Sequence, residues 1–195
     1  WRVTRFEFGV SMVAFAGGLL LGILKGVIVA VLVSMLLLIR RAAHPHVAFL
    51  GRIPGTRSYS DIGRNPDNEA VSGVLMFRVE ASLLYFNVEH VRNAVWQKIR
   101  STSGPLTLVV CDLSTSPMVD LAGARMLAKL HVELGAAGIR LRLVAAHAAV
   151  RDILRAEGLE ESVGYFGRRI RVADVIDEFL GGTGTAASAD QSAPA

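Results

Sequence analysis

An α/β domain with a mixed sheet and helices, preceded by a transmembrane α-helical hairpin, is the fold class the sequence predicts, and three observations carry it. Residues 8–39 form a run of 32 residues with a single charge, Lys25, long and apolar enough to enter a bilayer. Residues 106–113 form a nearly continuous apolar run rich in β-branched residues, the pattern of a strand covered on both faces. Ser114, Thr115, Ser116 and Pro117 then break the pattern, and Ala124, Leu127, Leu130 and Leu134 follow at helical spacing. The centre of the domain therefore reads strand, polar loop, helix, with Asp120 placed to cap the helix.

The apolar share of 52% and mean hydropathy of +0.43 exceed what a purely soluble domain of this length carries, and the excess sits at the N-terminus. The run is at least twice a signal-peptide core, and no small-residue cleavage site follows it. A straight helix over residues 8–39 would be about 48 Å long against a hydrocarbon core of about 30 Å, and it would hold Lys25 near the bilayer centre at a cost of about 2.5 to 3.5 kcal/mol. Folding back near residues 22–26 removes that cost. It also brings Arg2 and Arg5 to the same side as Arg40 and Arg41, as the positive-inside rule prefers. The predicted spans are residues 8–22 and 26–41, within a membrane segment 1–41. Each leg, at about 14 to 16 residues, is shorter than the about 20 that cross unaided. Ala14, Gly18, Gly22, Gly26, Ala30 and Ser34 recur every four residues, a spacing that lets helix backbones approach in lipid.

The formal charge of +4 is not a nucleic-acid signal. Residues 51–195 hold 16 basic and 16 acidic side chains, so the surplus comes from Arg2, Arg5, Lys25, Arg40 and Arg41 against Glu7. Basic residues flanking an apolar segment read as anchors on one side of a membrane. The chain begins with Trp1 rather than Met, which predicts that it is the C-terminal piece of a longer protein.

Residues 42–73 are expected to form a linker with one early strand near residues 47–53 and a polar loop from Asp61 to Gly73. Residues 74–79 and 83–86 read as short strands, and Asn87 as the cap of a helix with Val88, Val91, Val95 and Ile99 on one face. After the central strand and its helix, Ile139 to Leu143 alternates apolar residues with Arg140 and Arg142, as a half-exposed strand does. A short helix over residues 148–157 ends at Gly158, and Val172, Val175, Ile176, Phe179 and Leu180 make a further helical stripe. The domain is expected to span residues 74–181. Residues 182–195, built of Gly, Thr, Ala, Ser and Pro, are expected to be disordered.

No catalytic residue and no cofactor is predicted. The single cysteine, Cys111, excludes an internal disulfide, has no histidine placed to activate it, and reads as a small buried hydrophobe. His44 and His46 flank Pro45 without a third ligand nearby, so no metal site is assigned. His131 and His147 stand alone as surface residues, and no phosphate-binding glycine loop is present. The loop Ser114, Thr115, Ser116 with Asp120 is the one place where regulation has physical content, because helix N-termini attract anions.

Asp112-Leu-Ser followed by Val119-Asp120-Leu-Ala-Gly123 resembles the signature of the STAS domain, a module shared by sulfate transporters and anti-sigma-factor antagonists. Residues 1–53 resemble the last membrane segments and exit linker of the SulP family of anion transporters, and the similarity spans roughly residues 2–180. The resemblance implies a STAS fold, a final transmembrane helix pair lying against an upstream transmembrane domain of the same chain, a homodimer, and a multi-pass inner-membrane protein whose STAS domain is cytoplasmic. It implies transport of a small inorganic anion such as sulfate or bicarbonate, coupled to an ion or exchanged, at a site upstream of this sequence. The STAS domain would serve folding, trafficking, subunit association or regulation; membrane lipid is expected around the membrane segment, and nucleic acid is not expected as a partner. In STAS proteins that antagonise anti-sigma factors, a Ser or Thr just before the signature glycine is phosphorylated. Here that position is Ala122, which has no hydroxyl. The alternative reading is a membrane-tethered STAS regulator that transports nothing.

Overall fold

The computed structural model describes residues 8, 9, 12, 15, 22–164, 167 and 170–189. They fall into two units, residues 1–44 and 45–195. In the first, α1 (Ile23–Ala43) is a single helix of 21 residues, about 31 Å at 1.5 Å per residue. That corrects the leg expected over residues 26–41. Gly22, with a φ of 81° that favours a residue without a Cβ, stands just before the first residue of α1. Lys25 therefore lies in the first helical turn rather than in a turn between spans, and the leg is long enough to cross by itself. Phe8, Gly9, Met12 and Phe15 are also helical, and the rest of the first expected leg lies outside the described residues. One stripe of α1 is less exposed than the rest: Gly26, Val29, Ala30, Val33 and Leu37. It follows the small-residue series through Gly26 and Ala30 and then leaves it, since Ser34 is exposed.

The second unit is built on a five-stranded sheet of order β2-β1-β3-β4-β5. β1 (Val47–Arg52) runs antiparallel to β2 (Tyr59–Asp61) and to β3 (Val74–Val79). β3, β4 (Leu108–Asp112) and β5 (Arg140–Val144) are parallel, so the sheet is mixed. β4 has a partner on each side and all five of its residues are buried, as its unbroken apolar run requires. The middle of the sheet is nevertheless β3.

Alternation along the strands divides the core in two. Phe77, Val79, Val109, Cys111, Leu141 and Leu143 face one way and meet α2 (Val88–Ser101), α3 (Leu121–Ala136), α4 (Ala148–Ala156) and α5 (Leu159–Val163). Leu50, Val74, Met76, Leu108, Val110 and Val144 face the other way and meet Val172, Val175 and Ile176 of α6 (Val172–Ala189).

Four local expectations need correcting. Residues 83–86 are not a strand; Leu83 makes one isolated parallel bridge, to Val119. The reason is Asn87, whose amide donates to the Ser82 carbonyl at 2.9 Å and accepts from the Leu84 N–H at 3.0 Å. A side chain that serves the backbone this way competes with a strand ladder. The same bonds turn Asn87 back into the loop: it occupies the cap position of α2, but its side chain makes no capping bond there. β2 adds a second strand to the expected linker over residues 42–73, and its three residues are too few to show a period. Finally, α6 is helical to Ala189, past the point where disorder was expected. Residues 181–185 are Gly, Gly, Thr, Gly and Thr, poor helix formers, so local propensity does not account for the extension. Residues 190–195 lie outside the described residues.

Candidate functional site

The loop between β4 and α3 holds every residue that sequence singled out for regulation, and the structure gives each a different task. Asp112 ends β4 with a nearly buried carboxylate. Its Oδ2 accepts from Arg78 Nε at 2.8 Å and Nη2 at 2.6 Å, and its Oδ1 accepts from the Ser114 N–H at 2.9 Å. Arg78 is one residue from the end of β3 and lies opposite Asp112 in the parallel register. The pair thus clamps the ends of two neighbouring strands. A buried carboxylate so fully bonded is committed to holding the strand ends together.

The three hydroxyl residues divide. Ser116 is wholly buried and donates to the Ala81 carbonyl at 3.0 Å and the Val79 carbonyl at 3.3 Å. Thr115 is exposed, yet its hydroxyl also donates to Val79, at 2.8 Å. Both tie the loop to the chain leaving β3. Ser114 is exposed, and its carbonyl is bonded by His147 Nε2 at 3.0 Å. Of the three, Ser114 alone presents a hydroxyl that the loop's packing does not use.

Asp120 caps α3 as expected. Its Oδ1 accepts from the Gly123 N–H at 2.8 Å, and its Oδ2 accepts from the Tyr85 N–H at 2.8 Å. Negative charge at the helix start, where the dipole favours it, is supplied by the protein's own carboxylate. Ala122 occupies the turn between Asp120 and Gly123 and is half-buried. Gly123 is required by packing: a Cβ there would meet the Leu83 carbonyl oxygen and Val119 Cγ1, each at 2.8 Å. The signature glycine therefore lets α3 start against the Leu83 loop.

Cys111 is wholly buried, and burial followed by the adjacent Asp112 charge pushes its thiol far above the ordinary range. It remains protonated and is a poor nucleophile. His46 finds a partner the sequence did not reveal, Asp61 Oδ2 at 2.9 Å, while His44 Nδ1 lies 3.0 Å from the Arg40 carbonyl. Burial pushes the Asp61 carboxyl up, but hydrogen bonds from His46 and the Gly63 N–H outweigh it and hold the group below its usual value. His131 is half-buried rather than a surface residue, and its Nδ1 has no hydrogen-bond partner. His147 is exposed.

Sequence reasoning missed Arg78, Tyr85 and Leu83, which complete the site from the β3 side. Arg78 carried a weak signal, a lone charge inside an apolar strand. Nothing in the sequence marked the bridge from Leu83 to Val119.

Comparison with known proteins agrees with this geometry. Residues 65–177 match the model of the STAS domain. The chain is 32% identical over 163 residues to a "probable sulfate transporter" of Mycobacterium tuberculosis, covering 84% of this chain and 29% of that protein. It is 27% identical over 190 residues to low affinity sulfate transporter 3 of Stylosanthes hamata, covering 92% of this chain and 30% of that one. The chain thus spans less than a third of these relatives. The structure of murine solute carrier 26 family member A9, an anion transporter in the inward-facing state, superimposes with a TM-score of 0.75 at 24% identity, over 91% of this chain and 29% of that one. With the mixed sheet, the capped α3 and the signature glycine in place, the chain belongs to the STAS domain family.

Proposed function

We propose that this chain is the C-terminal part of a SulP-type secondary active transporter of an inorganic anion such as sulfate or bicarbonate. In this reading α1 is the last membrane span, paired in a hairpin with residues 8–22, and the STAS domain regulates, sorts or assembles the transporter from the cytoplasmic side of a multi-pass inner-membrane protein. One observation carries it. The alignment with the mycobacterial relative is far longer than the STAS match and everything after it, so the likeness extends into the apolar stretch and linker.

The helix supports the reading physically. α1 is apolar along its length, and Leu24, Val31, Leu36 and Leu38 are each more than half exposed, a state that water disfavours and lipid accepts. Its less exposed stripe is the face that a neighbouring helix of the hairpin would take. Arg40 and Arg41 in its last turn fit the cytoplasmic end of a span. The anion site would lie upstream of this sequence, and a homodimer would bring two STAS domains together. No catalytic step is assigned to Asp112 or Cys111. Regulation by phosphate would fall on Ser114, since Ser116 is buried and Ala122 has no hydroxyl.

The test is uptake of labelled sulfate and bicarbonate into vesicles holding the longer protein that contains this sequence. Saturable uptake of either anion, lost when the membrane part upstream is removed, supports the proposal. A longer protein that moves neither anion would leave the tethered regulator as the better reading.

A further inference from the structure

The chain leaves the domain very little slack at its first residue. α1 is helical to Ala43 and β1 begins at Val47, so only His44, Pro45 and His46 connect them. Three extended residues reach about 10 to 11 Å. Two of the three are already fastened within the domain: the Pro45 carbonyl lies 3.2 Å from His90 Nε2, and the His46 carbonyl accepts from the Glu80 N–H at 3.0 Å. Val47 then pairs with Val79, the last residue of β3. The chain therefore enters the domain at the end of the sheet where β3 and β4 finish.

That end carries an exposed apolar patch. Tyr85, Met118 and Leu121 are exposed by 74%, 57% and 49%. The Leu83 to Val119 bridge and the Tyr85 N–H to Asp120 bond hold their two loops side by side. Elsewhere in the domain, among the described residues, the large exposed apolar side chains are Val132 and Leu180. Of the carboxylates beside the patch, Asp120 is taken up by two backbone N–H groups, while Glu89 lies 3.8 Å from Arg92, which is bonded more closely to Glu133. Lys129 adds a positive charge on the adjoining groove. An apolar tip with an aromatic residue and a nearby cation suits the boundary between headgroups and acyl chains.

We propose that this end of the domain rests on the headgroup surface of the membrane that α1 enters, with Tyr85, Met118 and Leu121 set into the interface. The inference rests on the membrane reading of α1. Contact with lipid would hold the loop from Ser114 to Asp120 at the bilayer surface, where lipid composition can act on the regulatory domain directly.

The test uses the 195-residue chain in nanodiscs that contain anionic and zwitterionic lipid. Nitroxides are placed one at a time through Met118→Cys, Leu121→Cys, Val132→Cys and Leu32→Cys, and unsubstituted protein serves as the blank because Cys111 is wholly buried. Collision with dissolved oxygen, which concentrates in lipid, is compared with collision with a water-soluble nickel chelate. Oxygen dominating at 118 and 121 while nickel dominates at 132 is the expected result. Nickel dominating at all three, with oxygen dominating at 32, overturns the inference and leaves the membrane reading intact. Nickel dominating at 32 as well overturns both. Immobile labels at 118 and 121, reached by neither reagent, overturn it in favour of a protein partner.

Discussion

α1 and α3 are both long apolar helices, and their side chains meet opposite fates. In α3, Ala124, Leu127, Leu130 and Leu134 are wholly buried against the sheet and its neighbours. In α1, Leu24, Val31, Leu32, Leu36 and Leu38 are mostly exposed. The difference is one of pattern: α3 carries its apolar residues on a stripe and charges elsewhere, whereas α1 is apolar all round. A stripe can be satisfied by the chain itself, while a helix apolar on every side needs a solvent of its own kind. The domain is accordingly expected to be stable alone and α1 to be stable only in lipid.

Ways to break this comparison rank by size. Arg78→Met would leave the buried Asp112 charge unpaired, and the domain should lose about 3 to 5 kcal/mol in urea unfolding. Adding Asp112→Asn should recover part of the loss, because no bare charge then remains. Leu127→Ala in α3 should cost about 2 to 5 kcal/mol, while Leu36→Ala in α1 should leave the unfolding midpoint of the domain unchanged. A shift in that midpoint would mean that α1 packs on the domain. Gly123→Ala forces a Cβ against the Leu83 carbonyl and Val119, and should cost about 1 to 3 kcal/mol as overpacking does.

Acid should have the smallest effect, and it should be confined to the domain. The Arg92 hydrogen bond, helped by Trp96, holds Glu133 below its ordinary value against the opposing effect of burial, and Asp61 is lowered by His46 and Gly63 despite its own burial. Groups lowered in the folded state contribute stability that is fully present above their unfolded values and is lost as the pH falls through the folded ones. The contribution of these two carboxylates should therefore be complete above the ordinary carboxylate range and fall in acid. Glu133→Gln should flatten the acid limb, measured by urea unfolding at a series of pH values.

Much of the fold was legible because its elements have strong periods. β4 shows its double burial as an unbroken run, α3 its stripe, and Asp120 its cap. What stayed hidden depended on neighbours distant in sequence. Arg78 opposite Asp112, Leu83 against Val119 and His46 beside Asp61 are pairings made by sheet register, which a single sequence does not display. Asn87 was misread for a related reason: the same amide that caps helices also closes turns, and local sequence does not say which bond it will choose. At the candidate site, the capping role of Asp120 was legible and the roles of the three hydroxyls were not, since nothing in Ser114-Thr115-Ser116 distinguishes an exposed hydroxyl from a buried one. Lys25 and Gly26 resemble a turn in sequence, yet both lie inside α1, which begins at Ile23 after Gly22.

We propose that this STAS domain and apolar helix belong to a much longer transporter. An antibody against the domain, used on fractionated native cells, tests it most directly. Because the chain covers 29% of its mycobacterial relative, the account predicts a membrane-bound band roughly three times the 20.9 kDa of this sequence. A membrane-bound band near 20.9 kDa would contradict it and leave a tethered STAS regulator in its place.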